Sequence, residues 1–336
     1  MTSTHVRGRG LAAPPLPHAA LAASAALAAL ILAGLCLGTP SIAPQRIPAA
    51  LGDPTSLEHV VLWELRAPRL LVALLGGAAI GTAGLLLQEA LRNPLAVPEL
   101  LGVSSGAALA VAVCVVWALP VSAALYPLVG LGGAAAGGVL ALAAARAAGT
   151  ATGVLLVGAA VSTAIQALLL AVMATADRLQ YDLLFRYLVG SLSGVMWDQV
   201  ARTLPWFALA VPLVLLCVPA LGLLRLGDEA AASLGARVDL ARLGVLAVAA
   251  LLVGAVTGPC GPIAWVGFVA PLLARWLRPR GEARTWLPWT AVLGAAITLA
   301  ADLAARLALA PVETPLGAWT ALAGVLTGAA LMRRSR

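Results

Sequence analysis

One short motif has the spacing that serine hydrolases use to hold a nucleophile. Gly102, Ser104 and Gly106 form a G-x-S-x-G pattern, which in those enzymes places the serine on a sharp turn between a strand and a helix. Such a serine also needs a histidine base within reach. All three histidines lie outside the long apolar runs: His5, His18 and His59. We therefore interpret the motif as the small-residue start of a helix and predict no catalytic residue.

The residue types that hold metals, cofactors or nucleotides are scattered or missing. Four cysteines lie far apart in apolar stretches with no C-x-x-C pair, so they predict small buried side chains and no metal centre: Cys36, Cys114, Cys217 and Cys260. All 21 basic residues are arginine. Without lysine there is no P-loop and no Schiff base, so any ATP must be bound by another chain. We predict no cofactor.

Charged residues occur at the ends of apolar runs rather than in their middles. Asp302 and Arg306 are four apart, the spacing of an ion pair on one helix face, and Arg66 and Arg69 are three apart. A proton or ion relay would place acids near mid-membrane, and no acid lies there. This counts against a secondary transporter, which stays open as the alternative function. The arginines are too dispersed to favour a nucleic-acid partner.

The composition determines where these residues are held. With 62% hydrophobic and 10% charged residues and a mean hydropathy of +1.00, the chain needs membrane lipid as a solvent. The apolar runs are long and do not alternate, which predicts an all-α polytopic bundle of about ten transmembrane helices. The predicted spans are 19–39, 68–90, 98–117, 122–145, 153–175, 203–224, 242–259, 263–277, 286–309 and 316–332. They form one transmembrane domain at 19–332 between tails at 1–18 and 333–336.

Arginine placement predicts the orientation of the bundle. With the N-terminus inside, cytoplasmic segments hold fourteen arginines and outer segments hold seven, in agreement with the positive-inside rule. We therefore expect a multi-pass protein of the inner membrane with both termini in the cytoplasm. Two small-residue pairs, Gly77-x-x-x-Gly81 and Gly133-x-x-x-Gly137, predict close packing between helices.

A polar cytoplasmic segment between two spans has the features of a short capped helix. Asp228 and Glu229 suit a helix N-terminus, and Gly235 suits a left-handed C-terminal cap. Such a helix can dock a soluble partner or can be an ordinary loop helix, and local sequence alone leaves both open.

Several ordered motifs together carry a family resemblance over about residues 20–334. They are Leu65–Leu70, Gln88–Ala96, Leu101–Ala107, Gly190–Gly194, Gly227–Gly235, Gly261–Gly267, Ala301–Arg306 and Glu313–Gly317. With these motifs the chain resembles the FecCD-type permeases of ferric-siderophore, haem and cobalamin ABC importers. The chain departs from the family pattern at two places. It has Ala264-Trp265 where Gly-Phe is usual, and Leu272-Leu273 where Pro-His is common. These departures make the substrate harder to infer from the family.

The resemblance implies the fold, the partners and two contact sites. It implies a type II ABC importer permease, which pairs with a second permease, two cytoplasmic ATP-binding subunits and an extracytoplasmic substrate-binding protein. Iron chelates, ferric siderophores first, are the implied cargo, with haem or cobalamin also possible. Arg66, Arg69 and Arg306 are implied to dock the binding protein. Contact with the ATPase is implied for Gly227, Asp228, Glu229, Ala230, Ala231, Ser233, Leu234 and Gly235.

Overall fold

A computed structural model describes residues 16–145 and 151–334, apart from positions 179, 182–184, 186–187 and 311. Residues 1–15 of the predicted N-terminal tail lie outside the described residues, and so do five arginines that entered the orientation count: Arg7, Arg9, Arg146, Arg186 and Arg336.

Ten described helices of twelve residues or more coincide with the ten predicted spans, and the described residues contain no strand. They are α1 (Leu16–Cys36), α2 (Ala67–Ala90), α3 (Val103–Val116), α4 (Tyr126–Ala145), α5 (Ala151–Met173), α6 (Trp197–Arg225), α7 (Val238–Cys260), α8 (Val266–Leu277), α9 (Ala283–Leu307) and α10 (Leu316–Arg334). The predicted all-α membrane bundle is confirmed.

Helix length agrees with a membrane setting. Six of the described helices are long and apolar enough to cross a bilayer, and α3, α4, α8 and α10 contain shorter apolar stretches. The short α8 follows the Gly-Pro-rich segment 258–262, which ends α7 at Cys260. Twelve residues rise about 18 Å, less than the ~30 Å hydrocarbon core, so α8 alone is too short to cross it and the non-helical segment 261–265 must contribute to the crossing.

The remaining described elements are short. A 3₁₀ turn (Pro44–Arg46), two short helices (Ile47–Gly52 and Leu57–His59) and a π-helix (Val60–Arg66) connect α1 to α2. A 3₁₀ turn (Ala123–Leu125) precedes α4, and a six-residue helix (Asp228–Ser233) lies between α6 and α7.

Helix α2 is the centre of the bundle. It packs against α1, α6, α7, α8 and α9. Its glycines allow these close contacts, because a Cβ at Gly77 would overlap the carbonyl oxygen of Gly294 on α9, and one at Gly84 would overlap that of Gly267 on α8. Small residues let backbones approach in lipid, where apolar burial alone gives little drive to associate. The predicted packing role of Gly77-x-x-x-Gly81 is confirmed.

Helices α3 and α4 meet through a second set of glycines. A Cβ at Gly106 would overlap the carbonyl oxygen of Gly133, and one at Gly137 would overlap that of Gly102. The G-x-S-x-G motif therefore serves packing in this fold. Ser104 and Ser105 are both buried, and the Ser105 hydroxyl donates to the Gly102 carbonyl oxygen at 3.3 Å.

Candidate functional site

The end of the bundle where α2 begins carries a cluster of four charged side chains, here called the outer ion cluster because this end is predicted to face outward: Arg69, Asp302, Arg306 and Glu313. Arg69 lies in the first turn of α2, Asp302 and Arg306 lie near the end of α9, and Glu313 lies in the connection to α10. Arg69 Nη2 is 2.8 Å from Asp302 Oδ1, and Arg69 Nη1 is 2.9 Å from Glu313 Oε2. Arg306 Nε is 3.7 Å from Asp302 Oδ2. One carboxylate, Asp302, therefore faces two guanidinium groups.

Two arginines also close the C-terminal end of α1. Arg306 Nη2 donates to the carbonyl oxygens of Gly34 at 2.9 Å and Leu37 at 3.0 Å. Arg66, the last residue of the π-helix, donates to the carbonyl oxygens of Leu35 and Pro40. The last carbonyls of a helix lack intrahelical partners and carry partial negative charge, so they suit cations. These contacts fasten α1 to α2 and α9.

The structure thus brings the three predicted docking arginines together, and it gives each of them partners within the chain. Arg66 and Arg306 are 5% and 8% exposed. The side chains of Arg69 and Asp302 are 11% and 2% exposed, whereas that of Glu313 is 37% exposed. The four-residue spacing of Asp302 and Arg306 indicated one of these contacts. The pairing of Arg69 with Asp302 and Glu313 was missed, because Arg69 lies 233 and 244 positions from these acids in the sequence.

At the opposite end of α2, about 30 Å away by helix rise, lies the short helix Asp228–Ser233. Its first turn contains Asp228 and Glu229, and Gly235 follows with a φ of +83°. Gly235 N–H donates to the Ala232 carbonyl oxygen at 2.9 Å, and Ala236 N–H donates to that of Ala231 at 3.0 Å. This pair of bonds is a Schellman cap. The predicted start at two acids and left-handed end at Gly235 are confirmed.

Salt bridges fasten this helix to the bundle. Asp228 Oδ1 lies 2.9 Å from Arg92 Nη2 and 2.8 Å from Arg242 Nη2. Arg242 Nε also donates to the carbonyl oxygen of Ala90, the last residue of α2, at 3.1 Å. Sequence reasoning missed both arginine partners, because they lie before and after the helix on separate segments. Because of these contacts, a displacement of the short helix would also move the C-terminal end of α2.

The opposite face of the short helix is open. Ala231 is fully buried and points toward the bundle. Glu229, Ala230, Ser233 and Leu234 are exposed, and Leu234 is 65% exposed. This face is therefore accessible to another protein.

At the same end of the bundle, polar side chains in the last turn of α2 bind an arginine of α8. Arg275 of α8 is bound by Gln88 Oε1 at 2.5 Å and by Glu89 Oε1 at 2.9 Å. Its guanidinium also lies 5.3 Å from the ring centre of Trp286 on α9. These contacts join the ends of α2, α8 and α9. Among the described residues, no group of three or more His, Cys, Asp or Glu side chains could hold a metal ion.

Together these features define a polytopic helical membrane protein with an ion cluster at one end and a tethered surface helix at the other. The chain belongs to the FecCD transport family, which matches residues 26–334. This is a family of ABC transporter permease subunits, which are not catalytic themselves.

Characterised relatives transport several iron compounds. The chain is 37% identical over 289 residues to the Fe(3+) dicitrate transport system permease protein FecC of Escherichia coli, covering 84% of this chain and 86% of that protein. It is 34% identical to the iron(3+)-hydroxamate import system permease protein FhuB of Bacillus subtilis, covering 84% and 74%. It is 36% identical to the hemin transport system permease protein HmuU of Yersinia pestis, covering 79% and 80%.

Solved structures agree with this fold. An inward-facing metal-chelate-type ABC transporter superimposes with a TM-score of 0.79 at 26% identity, covering 95% of this chain and 99% of that chain. PsaBC from Streptococcus pneumoniae shares the fold, with a TM-score of 0.58 at 15% identity and coverage of 84% and 93%. The architecture is that of an ABC importer permease.

Proposed function

We propose that this permease moves an iron chelate, a ferric siderophore first, inward across the membrane with ATP hydrolysed by two separate subunits. Haem or cobalamin is the alternative cargo within the same family. The observation that carries the proposal is the tethering of the exposed 228–233 helix to the end of α2 through Asp228, Arg92 and Arg242. A soluble subunit that moves this helix also moves the central helix of the bundle. Since the chain has no lysine for a P-loop, that subunit must bind the ATP.

The cargo can be identified by an uptake assay. Membrane vesicles that contain the permease, its ATPase and its binding protein are supplied with ferric citrate, a ferric hydroxamate, haem and cobalamin in separate reactions. We expect ATP-dependent accumulation of one of the two ferric chelates. Accumulation of cobalamin alone would contradict the iron assignment and leave the permease assignment intact.

The position of a second permease subunit is indicated by α5. Gln166 and Thr163 are exposed near the middle of this apolar helix. An exposed amide at mid-membrane depth is costly in lipid, so such a side chain faces protein or a water-filled path. We therefore place the partner permease and the transport path beside this face of α5. The partner can be a second copy or a paralogue.

The docking role of Arg66, Arg69 and Arg306 stays a prediction. Each of these arginines already has binding partners within the chain, which limits how a binding protein could contact it. An acid of the binding protein would have to compete with the carboxylates and carbonyls that already bind these guanidinium groups. The Arg69–Glu313 contact is the outermost of them, because the Glu313 side chain is 37% exposed. It is the contact that an incoming carboxylate would exchange with at least cost.

This exchange gives a directional prediction. Glu313→Gln removes the competing charge and should tighten association of the binding protein at low salt by about 1.4-fold to fivefold, given ~0.2–1 kcal/mol for an exposed pair. High salt should erase the difference because surface charges are screened. The measurement is the dissociation constant of the binding protein at two salt concentrations. Weaker binding by Glu313→Gln at low salt would show that Glu313 itself, and not Arg69, contacts the partner.

The orientation proposed from arginine placement also has a direct test. The four native cysteines are buried, and a variant without them provides the background. In that background, Ser233→Cys and Gln45→Cys place single thiols at exposed positions on opposite ends of the bundle. We expect a membrane-impermeant maleimide to label Gln45→Cys in intact cells and Ser233→Cys only after permeabilisation. Labelling of Ser233→Cys in intact cells would reverse the orientation.

A further inference from the structure

A large groove runs along the outside of the bundle between α2, α6 and α9. It has a volume of about 1310 Å³. Most of its lining is apolar, including Leu75, Phe207, Val211, Leu215 and Leu287. Val211 and Leu215 are 60% and 64% exposed, so the groove is open to the side of the bundle.

Residue choice on three helices keeps the groove unfilled. Ala78 and Ala79 of α2 line it with small side chains, and Gly222 of α6 has no side chain. A Cβ at Gly222 would meet no atom within 4 Å. Pro219 of α6 and Pro288 of α9 also line the groove, and a proline inside a helix removes a backbone hydrogen bond and bends the axis. Small residues on α2 and α6 and proline bends in α6 and α9 therefore keep this space open.

The groove is charged at one end only, the end that carries the 228–233 helix. Arg225, Glu282 and Arg284 line it there, which gives a net charge of +1. Arg225 is held in place by Trp286, whose ring centre is 4.7 Å from its guanidinium carbon, and by the Gly281 carbonyl oxygen at 3.3 Å. Arg284 is exposed. From Arg225 to Phe207 the groove follows α6 for about 27 Å, close to the ~30 Å of a hydrocarbon core.

We propose that this groove binds an anionic phospholipid, with its phosphate between Arg225 and Arg284 and an acyl chain along α6. The charge and the shape agree with this occupant, since the arginines complement a phosphate and the apolar walls complement a hydrocarbon chain. The location of the groove on the bundle also agrees with a lipid occupant. Helix α5, which exposes a mid-membrane amide, packs on α3 and α4, whereas the groove helix α6 packs on α2, α7 and α9 and exposes apolar side chains. The lipid would lie against α2 itself and so contact the central helix of the bundle.

The test is native mass spectrometry of the purified permease after removal of endogenous lipid and titration with phosphatidylglycerol, phosphatidylethanolamine or phosphatidylcholine. We expect tightest retention of phosphatidylglycerol. Gly222→Phe fills the groove and should abolish that retention, while Gly222→Ala, the matched control, should bind as the parent does. Both changes improve helix propensity, so neither is expected to unfold α6.

The charged end of the groove is tested with two further variants. Arg284→Gln should weaken phosphatidylglycerol binding about fivefold, the effect of one basic residue near an anionic headgroup. Glu282→Gln should strengthen it.

Three results would overturn the proposal. The first is equal retention of phosphatidylglycerol and phosphatidylcholine by the parent. The second is undiminished phosphatidylglycerol retention by Gly222→Phe. The third is disulfide formation between two permease copies through Leu215→Cys in the background without native cysteines, which would assign the groove to the contact between subunits.

Discussion

Replacing Asp302 with asparagine is expected to destabilise the protein more than any other single change to the outer ion cluster, by about 3–5 kcal/mol. Asp302 is the carboxylate between Arg69 and Arg306, and its side chain is 2% exposed. Asparagine keeps the size of the side chain and removes the charge, so two buried guanidinium groups lose their shared counter-ion. The expected result is a large fall in the midpoint of thermal unfolding of the purified protein in detergent.

Glu313→Gln is the matched control for that prediction. It makes the same chemical change on the other carboxylate that binds Arg69, but the Glu313 side chain is 37% exposed. Water screens and replaces that contact, so a loss of no more than ~1 kcal/mol is expected. If Asp302→Asn lowers the midpoint no further than Glu313→Gln does, the cluster does not hold α1, α2 and α9 together.

The largest functional effect is expected from Ala231→Pro in the short helix. The N–H of Ala231 donates to the Gly227 carbonyl oxygen at 2.9 Å, and its side chain is fully buried against the bundle. Proline removes that bond and costs about 3 kcal/mol in a helix interior. This cost is confined to a six-residue helix at the end of the bundle, which can open locally while the membrane helices stay packed, so the thermal midpoint should fall less than it does with Asp302→Asn. We expect chelate uptake and its coupling to ATP hydrolysis to be lost together.

Ala232→Ser is the control here, since Ala232 is exposed on the same helix, is not among the predicted ATPase contacts, and serine keeps its backbone N–H. It should transport at close to the parent rate. Unimpaired uptake and stimulated ATP hydrolysis by Ala231→Pro would show that the segment is an ordinary loop helix with no part in energy coupling.

Features set by local sequence were predictable. Apolar runs long enough for a bilayer predicted ten spans, and the shortest of them, 263–277, corresponds to the short α8. Acids followed by Gly235 predicted the capped helix, because both signals act within a few residues. Small-residue spacing predicted close packing at Gly77 and Gly133.

Contacts between distant segments were not predictable in the same way. Arg69 and Asp302 are 233 positions apart, and their pairing depends on how α2 and α9 rotate and pack against each other. Asp228 is likewise bound by arginines on two other segments. The outward arginines were expected to be available to a partner, yet the carbonyls at the end of α1 and two acids occupy them. The lipid-sized groove depends on the bends and small residues of three helices, which no single run of sequence indicates.

Uptake of a ferric chelate into proteoliposomes that contain the permease, the ATPase and the binding protein distinguishes an ABC importer from a secondary transporter. The uptake is measured with and without ATP, and with and without an ionophore that collapses ion gradients. The proposed function predicts that uptake requires ATP and is unaffected by the ionophore. Uptake that proceeds without ATP and stops when the ion gradients are collapsed would contradict it and would establish a secondary transporter instead.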